Sequence, residues 1–360
     1  MKQIRIFALP SHSFIERTSG VDYIRIIQPM KYLNGYKDDE VEFIVKNYSP
    51  KEHGSFDWRD VFQEYDIVYF NYTTNDVGYA VMGTMAQKYG KKLICDLDDN
   101  LWDILIDNGA YDIFKKGSQS LKVVTCILND VHYVTCTNQY LKNVIAHNTT
   151  KTHDKIKVFP NYIDLELYKY RKEFKDNAHV TGLHFGSSTH FVSLADKEFI
   201  NALDRIMKEY PNFTFYTIGS FFPRYKINWG VRYKQGYGDT DILKWIDKMP
   251  EFIAQSDFML VPLMVNVYNR AKSSCKYLEA SSTKLPGAYQ RIRQYEEIIK
   301  DGENGFLCTT EQEWYEKITK LINDAQLRKE MGKKAFETAK EWSIQVHVKE
   351  YASFFKQVLT

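Results

Sequence analysis

Residues 269–280 read Asn-Arg-Ala-Lys-Ser-Ser-Cys-Lys-Tyr-Leu-Glu-Ala and follow an apolar run, 258–262, that ends in Pro262. The run reads as a buried strand, and the stretch after it opens a helix expected over 273–282. A helix N-terminus presents backbone N–H groups and positive partial charge, which suits a phosphate. Ser273 and Ser274 stand where those N–H groups fall, with Arg270 and Lys272 close by. Lys272, Lys276 and Glu279 recur at i, i+4 and i+7 and so share one helical face. A carboxylate two turns from a phosphate can accept hydrogen bonds from the paired hydroxyls of a ribose. The same spacing also fits a solvated face with a Lys276–Glu279 pair, and the pattern alone favours that plainer account.

Three further stretches carry chemistry. Gly186-Ser187-Ser188-Thr189-His190 ends another apolar run, and a small-residue turn there lets N–H and O–H groups approach a phosphate. An ordinary strand-to-helix turn with a serine cap is the competing account. Asp96, Asp98 and Asp99 fall within Cys95-Asp-Leu-Asp-Asp-Asn-Leu-Trp102, at the end of a run that reads as a buried strand. Carboxylates so placed must be solvated, paired or in use, and one can orient or deprotonate a hydroxyl; one of the three can instead cap the next helix. Thr18-Ser19-Gly20 precedes a helix carrying Tyr23 and Arg25, and Gly20 permits close approach of a ligand to the backbone or of the loop to its own helix.

The elements that must position these groups alternate along the chain. Strands are expected at 4–9, 41–46, 66–70, 92–96, 133–136 and 156–159, with helices at 21–34, 77–89 and 139–147. Pro160-Asn161-Tyr162-Ile163-Asp164 breaks the rhythm, and 169–177 reads as a charged connector. The pattern restarts with strands at 183–186, 213–218, 258–262, 287–290 and 305–308. Helices alternate with them at 194–208, 242–254, 273–282 and 295–300, followed by 311–323 and 326–342. This is the signature of parallel α/β units. The expected division is a first domain over 1–168, a second over 178–340 and a terminal amphipathic helix over 341–360 that packs back across the boundary. Open parallel sheets bind ligands beyond the carboxyl ends of their strands, so the loops after Leu9, Phe70, Asp96, Gly186, Gly219 and Pro262 are where the chemistry belongs. A cleft between two such domains is a common ligand site.

Bulk properties narrow the class. The 360 residues are 44% hydrophobic and 26% charged, the balance of an ordinary folded protein long enough for two domains. No run reaches the roughly 18 apolar residues of a membrane span, and the N-terminus reads as a first strand, not a secretion signal. Five cysteines in no metal-ligand spacing fit reduced, buried thiols in a cytoplasmic protein. Residues 1–170 carry 20 Lys/Arg against 22 Asp/Glu, and residues 171–360 carry 28 against 24. The positive excess therefore lies in the half with the candidate phosphate site, without the broad basic surface of a general nucleic-acid binder.

The stretch from 269 onward resembles the donor signature of the GT-B glycosyltransferases, specifically the large family 4 (group 1). The matching elements occur in order. They are Lys272-Ser273-x-x-Lys276-x-x-Glu279, Leu285-Pro286-Gly287, Tyr295-Glu296-Glu297-Ile298-Ile299, Asp301-Gly302-Glu303-Asn304-Gly305-Phe306 and Glu313-Trp314. The resemblance is strong over 181–342 and weaker before it. It implies two Rossmann-like domains facing across a cleft and transfer of a sugar from a nucleotide diphosphate, UDP by expectation, to a hydroxyl acceptor with retention. It also implies that the donor is a substrate, with no cofactor or metal. Glu279 would hold the donor ribose, Ser273 and Ser274 the diphosphate, and Lys272 or Arg270 would neutralise it. Residues 237–241 lie where such enzymes hold the nucleobase.

Ala271 stands where the family keeps a glutamate facing the donor sugar, and Ser, Thr and His stand after Gly186 where it often has Arg and Lys. The sugar and the stereochemistry are therefore left open. Asp96-x-Asp98 matches the spacing of the metal motif of the other glycosyltransferase fold, which the two-domain pattern sets aside. A glycan or other soluble molecule is the expected acceptor, with hydroxymethylated DNA second. A UDP-sugar epimerase and a silent nucleotide-sugar binding module are the rival functions.

Overall fold

The computed structural model describes residues 1–11, 18–49, 53–174, 178–186, 191–219, 229–236, 238–239 and 241–360. The chain divides into two compact units. One comprises Met1–Tyr162, Ala271–Ser273 and Ile344–Thr360; the other comprises Ile163–Arg270 and Ser274–Ser343.

The first unit holds a six-stranded parallel sheet of β1 (Lys2–Leu9), β2 (Val41–Asn47), β3 (Ile67–Asn71), β4 (Lys92–Leu97), β5 (Tyr133–Cys136) and β6 (Ile156–Val158), in the order β2-β1-β3-β4-β5-β6. Strands β3 and β4 are almost wholly buried, which explains their near-continuous apolar runs. The register sets Asn71 beside Asp96, and Asp96 beside Thr135. Helices absent from the sequence reading include Trp58–Glu64 and Gln119–Asp130, capped by the side chains of Asp57 and Ser118, and the single turn Tyr111–Phe114. The helix expected over 21–34 is interrupted by a π-turn at Tyr23–Ile27 that carries Arg25. Such turns are often associated with functional sites.

The terminal helix Ile344–Val358 belongs to this first unit. Tyr351 stacks on Phe159 with centroids 4.0 Å apart, and Phe355 meets Tyr69 edge-on at 5.5 Å. Gln345 Nε2 donates to the Tyr32 hydroxyl at 2.8 Å.

The second unit repeats the plan with β7 (Val180–Phe185), β8 (Phe213–Ile218), β9 (Tyr233–Gly236), β10 (Phe258–Val261), β11 (Gly287–Gln290) and β12 (Phe306–Cys308), all parallel, in the order β12-β11-β10-β7-β8-β9. The edge strand β9 is absent from the sequence reading. Strand order reverses between β7 and β10, the place where open sheets of this kind hold ligands. The segment before β7 contributes to the unit's interior: Tyr168, expected from sequence at the end of the first domain, joins the apolar cluster of Leu183, Phe185 and Tyr277. Lys172 is buried, donating to the Ala254 carbonyl at 3.2 Å and lying 3.8 Å from Asp257. Helix Glu311–Asn323 starts with a reciprocal capping box between Thr310 and Glu313, and buries Trp314 against Phe199.

Candidate functional site

In the first unit the three carboxylates at the end of β4 have separate fates. Strand alternation ends at Leu97, so Asp96 is still in the pleat while Asp98 and Asp99 have left it. Asp96 is fully buried and accepts from Arg25 twice, Nε to Oδ1 at 3.0 Å and Nη2 to Oδ2 at 2.7 Å. Thr135 Oγ1 donates to Oδ2 at 2.5 Å and the Tyr69 hydroxyl at 3.3 Å. Arg25 spends Nη1 on the Phe159 carbonyl at 2.6 Å and on Asn161 Oδ1 at 2.8 Å. A carboxylate so enclosed cannot meet a substrate hydroxyl, and Asp96 serves here to hold Arg25.

Asp98 is half-buried. Burial, reinforced by Asp99 and Asp96 and opposed by Arg25 and Lys272, pushes its carboxyl up to about 8. Asp99 Oδ1 accepts from Lys272 Nζ at 3.1 Å. The tripeptide Ala271–Ser273 groups with the first unit through several such contacts. Asn138 Nδ2 donates to the carbonyls of Ala271 at 2.9 Å and Lys272 at 3.1 Å, while its Oδ1 caps the helix Gln139–Asn148. Thr137 Oγ1 also donates to the Ala271 carbonyl, at 3.1 Å, and Asn161 Nδ2 donates to Ser273 Oγ at 2.8 Å. Ala271 is wholly buried, so the position where the sequence resemblance leads one to expect a glutamate is enclosed.

Gly20 is exposed at the start of the short helix before the π-turn. The turn is fixed by a residue the sequence reading passed over. Asp22 is buried and accepts from Ser11 N and Oγ, both at 2.8 Å, from Ser19 Oγ at 2.7 Å and from Asn71 Nδ2 at 2.9 Å. One carboxylate thus ties the end of β1 to β3 and to the glycine turn.

In the second unit the helix begins at Cys275, two residues later than expected, with Ser274 at its cap position. Glu279 lies one turn in and is half-buried; its Oε1 accepts from the Tyr168 hydroxyl at 3.0 Å. Burial raises the Glu279 carboxyl, and Lys276 and the Tyr168 hydrogen bond pull it back. Lys276 Nζ lies 5.7 Å from the centre of the Phe185 ring, near the carboxyl end of β7. Arg270 is exposed; before it, Gln294 Nε2 donates to the Asn269 carbonyl at 3.0 Å and Asn269 Nδ2 to the Met264 carbonyl at 2.8 Å. Ser187, Ser188, Thr189 and His190 lie outside the described residues, as do Tyr237 and Thr240.

Gly186 and Gly219 follow β7 and β8 and nearly touch. Gly219 has φ +76°, and a Cβ there would fall 2.3 Å from the Gly186 carbonyl oxygen. Gly219→Ala is therefore expected to cost about 2–4 kcal/mol, read as a lower urea midpoint, with nucleotide affinity falling alongside. The turn Asp301–Phe306 is structural. Gly302 takes φ +84°, Asp301 Oδ1 accepts from Leu307 N at 3.0 Å, and Asn304 bonds Lys300 N, the Ile298 carbonyl and Thr338 Oγ1.

Two parallel six-stranded sheets, each flanked by helices, with candidate groups at the carboxyl ends of their strands, define a GT-B fold. Residues 186–324 match the family model described as glycosyl transferases group 1, and the chain is a glycosyltransferase. The fold is shared with HepE of Anabaena, solved in complex with UDP, at 16% identity and TM-score 0.64, covering 99% of this chain and 100% of that one. A glycosyltransferase from Rickettsia africae is similar at 12% identity and TM-score 0.64, with 100% of both chains covered. TarM is similar at 16% identity and TM-score 0.59, over 80% of this chain; the chain spans only 54% of TarM. No curated protein matches the sequence.

Proposed function

We propose that the chain transfers a sugar from a nucleotide diphosphate donor, a UDP-sugar, to a hydroxyl acceptor, with retention of configuration. The observation that carries this reading is Glu279, half-buried on the helix Cys275–Ser282 within residues 186–324, which supports assigning its carboxylate to the ribose hydroxyls. The UDP complexes of HepE and of pneumococcal GtfA support UDP as the carrier.

In this reading Gly186, the Ser-Ser-Thr-His that follows it in sequence, Ser273, Ser274 and Lys276 are assigned to the diphosphate, and Arg270 and Lys272 to its charge. Stabilising charge on the departing diphosphate is the main source of rate, and no metal is invoked. Asp98 receives the acceptor hydroxyl, with Asp99 holding Lys272 beside it. Gly20 is assigned to close backbone approach of the donor phosphates or the acceptor. The acceptor is a glycan or another soluble molecule. A cytoplasmic setting agrees with five free cysteines.

The test is a panel of radiolabelled nucleotide sugars offered with glycans, with hydroxymethylated DNA and with no acceptor. Transfer to a glycan supports the reading, and transfer to DNA replaces the acceptor class. A changed sugar without acceptor identifies an epimerase, and binding without turnover a silent module. Lys272→Met is expected to lower kcat about 100-fold with a smaller effect on KM, since its charge acts on the leaving group. Transfer should also rise with pH through about 8 as Asp98 ionises. In Asp98→Asn this rise should vanish; a rise that persists there would assign the pH dependence to another group.

A further inference from the structure

Glu279 receives a hydrogen bond from outside its own helix. Tyr168 belongs to the segment leading into β7, and only 6% of its surface is exposed. Its ring packs in the apolar cluster with Leu183 and Phe185, and its backbone N–H donates to the Asp164 carbonyl at 3.1 Å. The hydroxyl at the end of this fixed arm reaches Glu279 Oε1 at 3.0 Å. A carboxylate drawn out of water needs donors to stay ionised and in one orientation. Among the described residues, Tyr168, Lys276 and the buried Tyr295 act on Glu279. Among them, Tyr168 supplies its donor from a side chain that loses little freedom on binding, because packing already holds the ring.

We propose that Tyr168 is a positioning residue of the donor site: its hydroxyl fixes Glu279 Oε1 and turns Oε2 toward the ribose hydroxyls of a nucleoside diphosphate. The site thereby selects ribose over deoxyribose. This rests on the assignment of Glu279 to the ribose under Proposed function. Without the tyrosine hydroxyl the carboxyl turns more freely and takes up a proton more readily. A protonated acid accepts less well from a pair of hydroxyls.

Calorimetric titration with UDP and with 2′-deoxy-UDP, over roughly pH 5 to 9, tests the proposal on the wild type, Tyr168→Phe and Glu279→Gln. Phenylalanine keeps the ring in its cluster and removes only the oxygen. Wild type should favour UDP about tenfold, the worth of one charge-assisted hydrogen bond. Tyr168→Phe should weaken UDP about 5- to 20-fold and 2′-deoxy-UDP much less. Its pH profile should also move. Loss of a donor to a carboxylate raises the carboxyl, so UDP affinity should begin to fall at a higher pH than in wild type.

Two results overturn the role of Tyr168 while leaving Glu279 in place. One is a Tyr168→Phe variant matching wild type in affinity and pH profile while Glu279→Gln weakens UDP. The other is equal loss of both nucleotides, which marks general damage to the fold. Wild type and Glu279→Gln binding UDP equally well removes the ribose assignment, and the proposal falls with it.

Discussion

Glu279→Ala is expected to weaken nucleotide-sugar affinity by about 100-fold, or close to 3 kcal/mol, with little or no loss of thermal stability. The two halves of this expectation have one cause. In the free protein the carboxylate is half-buried, and burial raises its carboxyl despite help from Lys276 and Tyr168. Holding it there costs folding free energy, which alanine relieves while giving up the Tyr168 hydrogen bond. In the complex, an ionised carboxylate accepting from two ribose hydroxyls makes charge-assisted hydrogen bonds worth about 1.5–3 kcal/mol each before the loss of freedom on binding. Affinity and stability should therefore part company, as they do at sites built for ligands and not for the fold. Glu279→Gln should fall between, since an amide oxygen still accepts but carries no charge. Titration of a UDP-sugar measures the first quantity and a melting curve the second. Unchanged donor affinity would end the ribose assignment; a parallel fall in melting temperature would recast Glu279 as a residue of the core.

Much of the fold was legible because most strands of both sheets are short β-rich runs followed by amphipathic stretches, and that alternation admits few topologies. The misses have local causes. The helix Gln119–Asp130 contains Val123, Val124, Thr125 and Ile127, a run whose branched side chains read as strand, although Leu121, Val124 and Leu128 keep helical spacing and Ser118 supplies a cap. Strand β9 is four residues long and lies at the edge of its sheet, too short to show alternation.

At the site, Glu279 was legible because its spacing from Lys272 and Lys276 is a property of one helix. The partners of Glu279 and of Ala271–Ser273 were not. Tyr168, Thr137, Asn138 and Asn161 lie more than a hundred residues away in sequence, and their contacts are to a carboxylate, a hydroxyl and main-chain carbonyls, groups that leave no pattern in composition. Nor does sequence say where β4 stops. Strand alternation would align Asp96 with Asp98 on one face, yet the strand ends at Leu97 and sends the two to different surroundings.

That separation makes Asp96 the site of the largest expected loss of stability. Asp96→Ala should destabilise the first unit by about 3–5 kcal/mol, because it leaves the fully buried guanidinium of Arg25 without the carboxylate it is hydrogen-bonded to. Arg25 would keep the Phe159 carbonyl and Asn161 Oδ1, and Tyr69 and Thr135 would each lose an acceptor. Asp96→Asn should cost less, since an amide oxygen still accepts from Arg25. Removing both charges in Arg25→Met with Asp96→Leu should recover much of the loss, because an apolar pair of similar volume avoids the desolvation of two ions. A double-mutant cycle on the melting transition of the first unit measures this coupling.

The consequence reaches further than stability. Arg25 holds Asn161, and Asn161 donates to Ser273, the neighbour of Lys272. Loosening the pair should therefore lower kcat even in the rescued double variant, where the fold is restored but Asn161 has lost Arg25. Should Asp96→Asn keep the wild-type melting temperature and still abolish transfer, Asp96 would belong to the chemistry; a fall in both would leave it holding the groups that perform it.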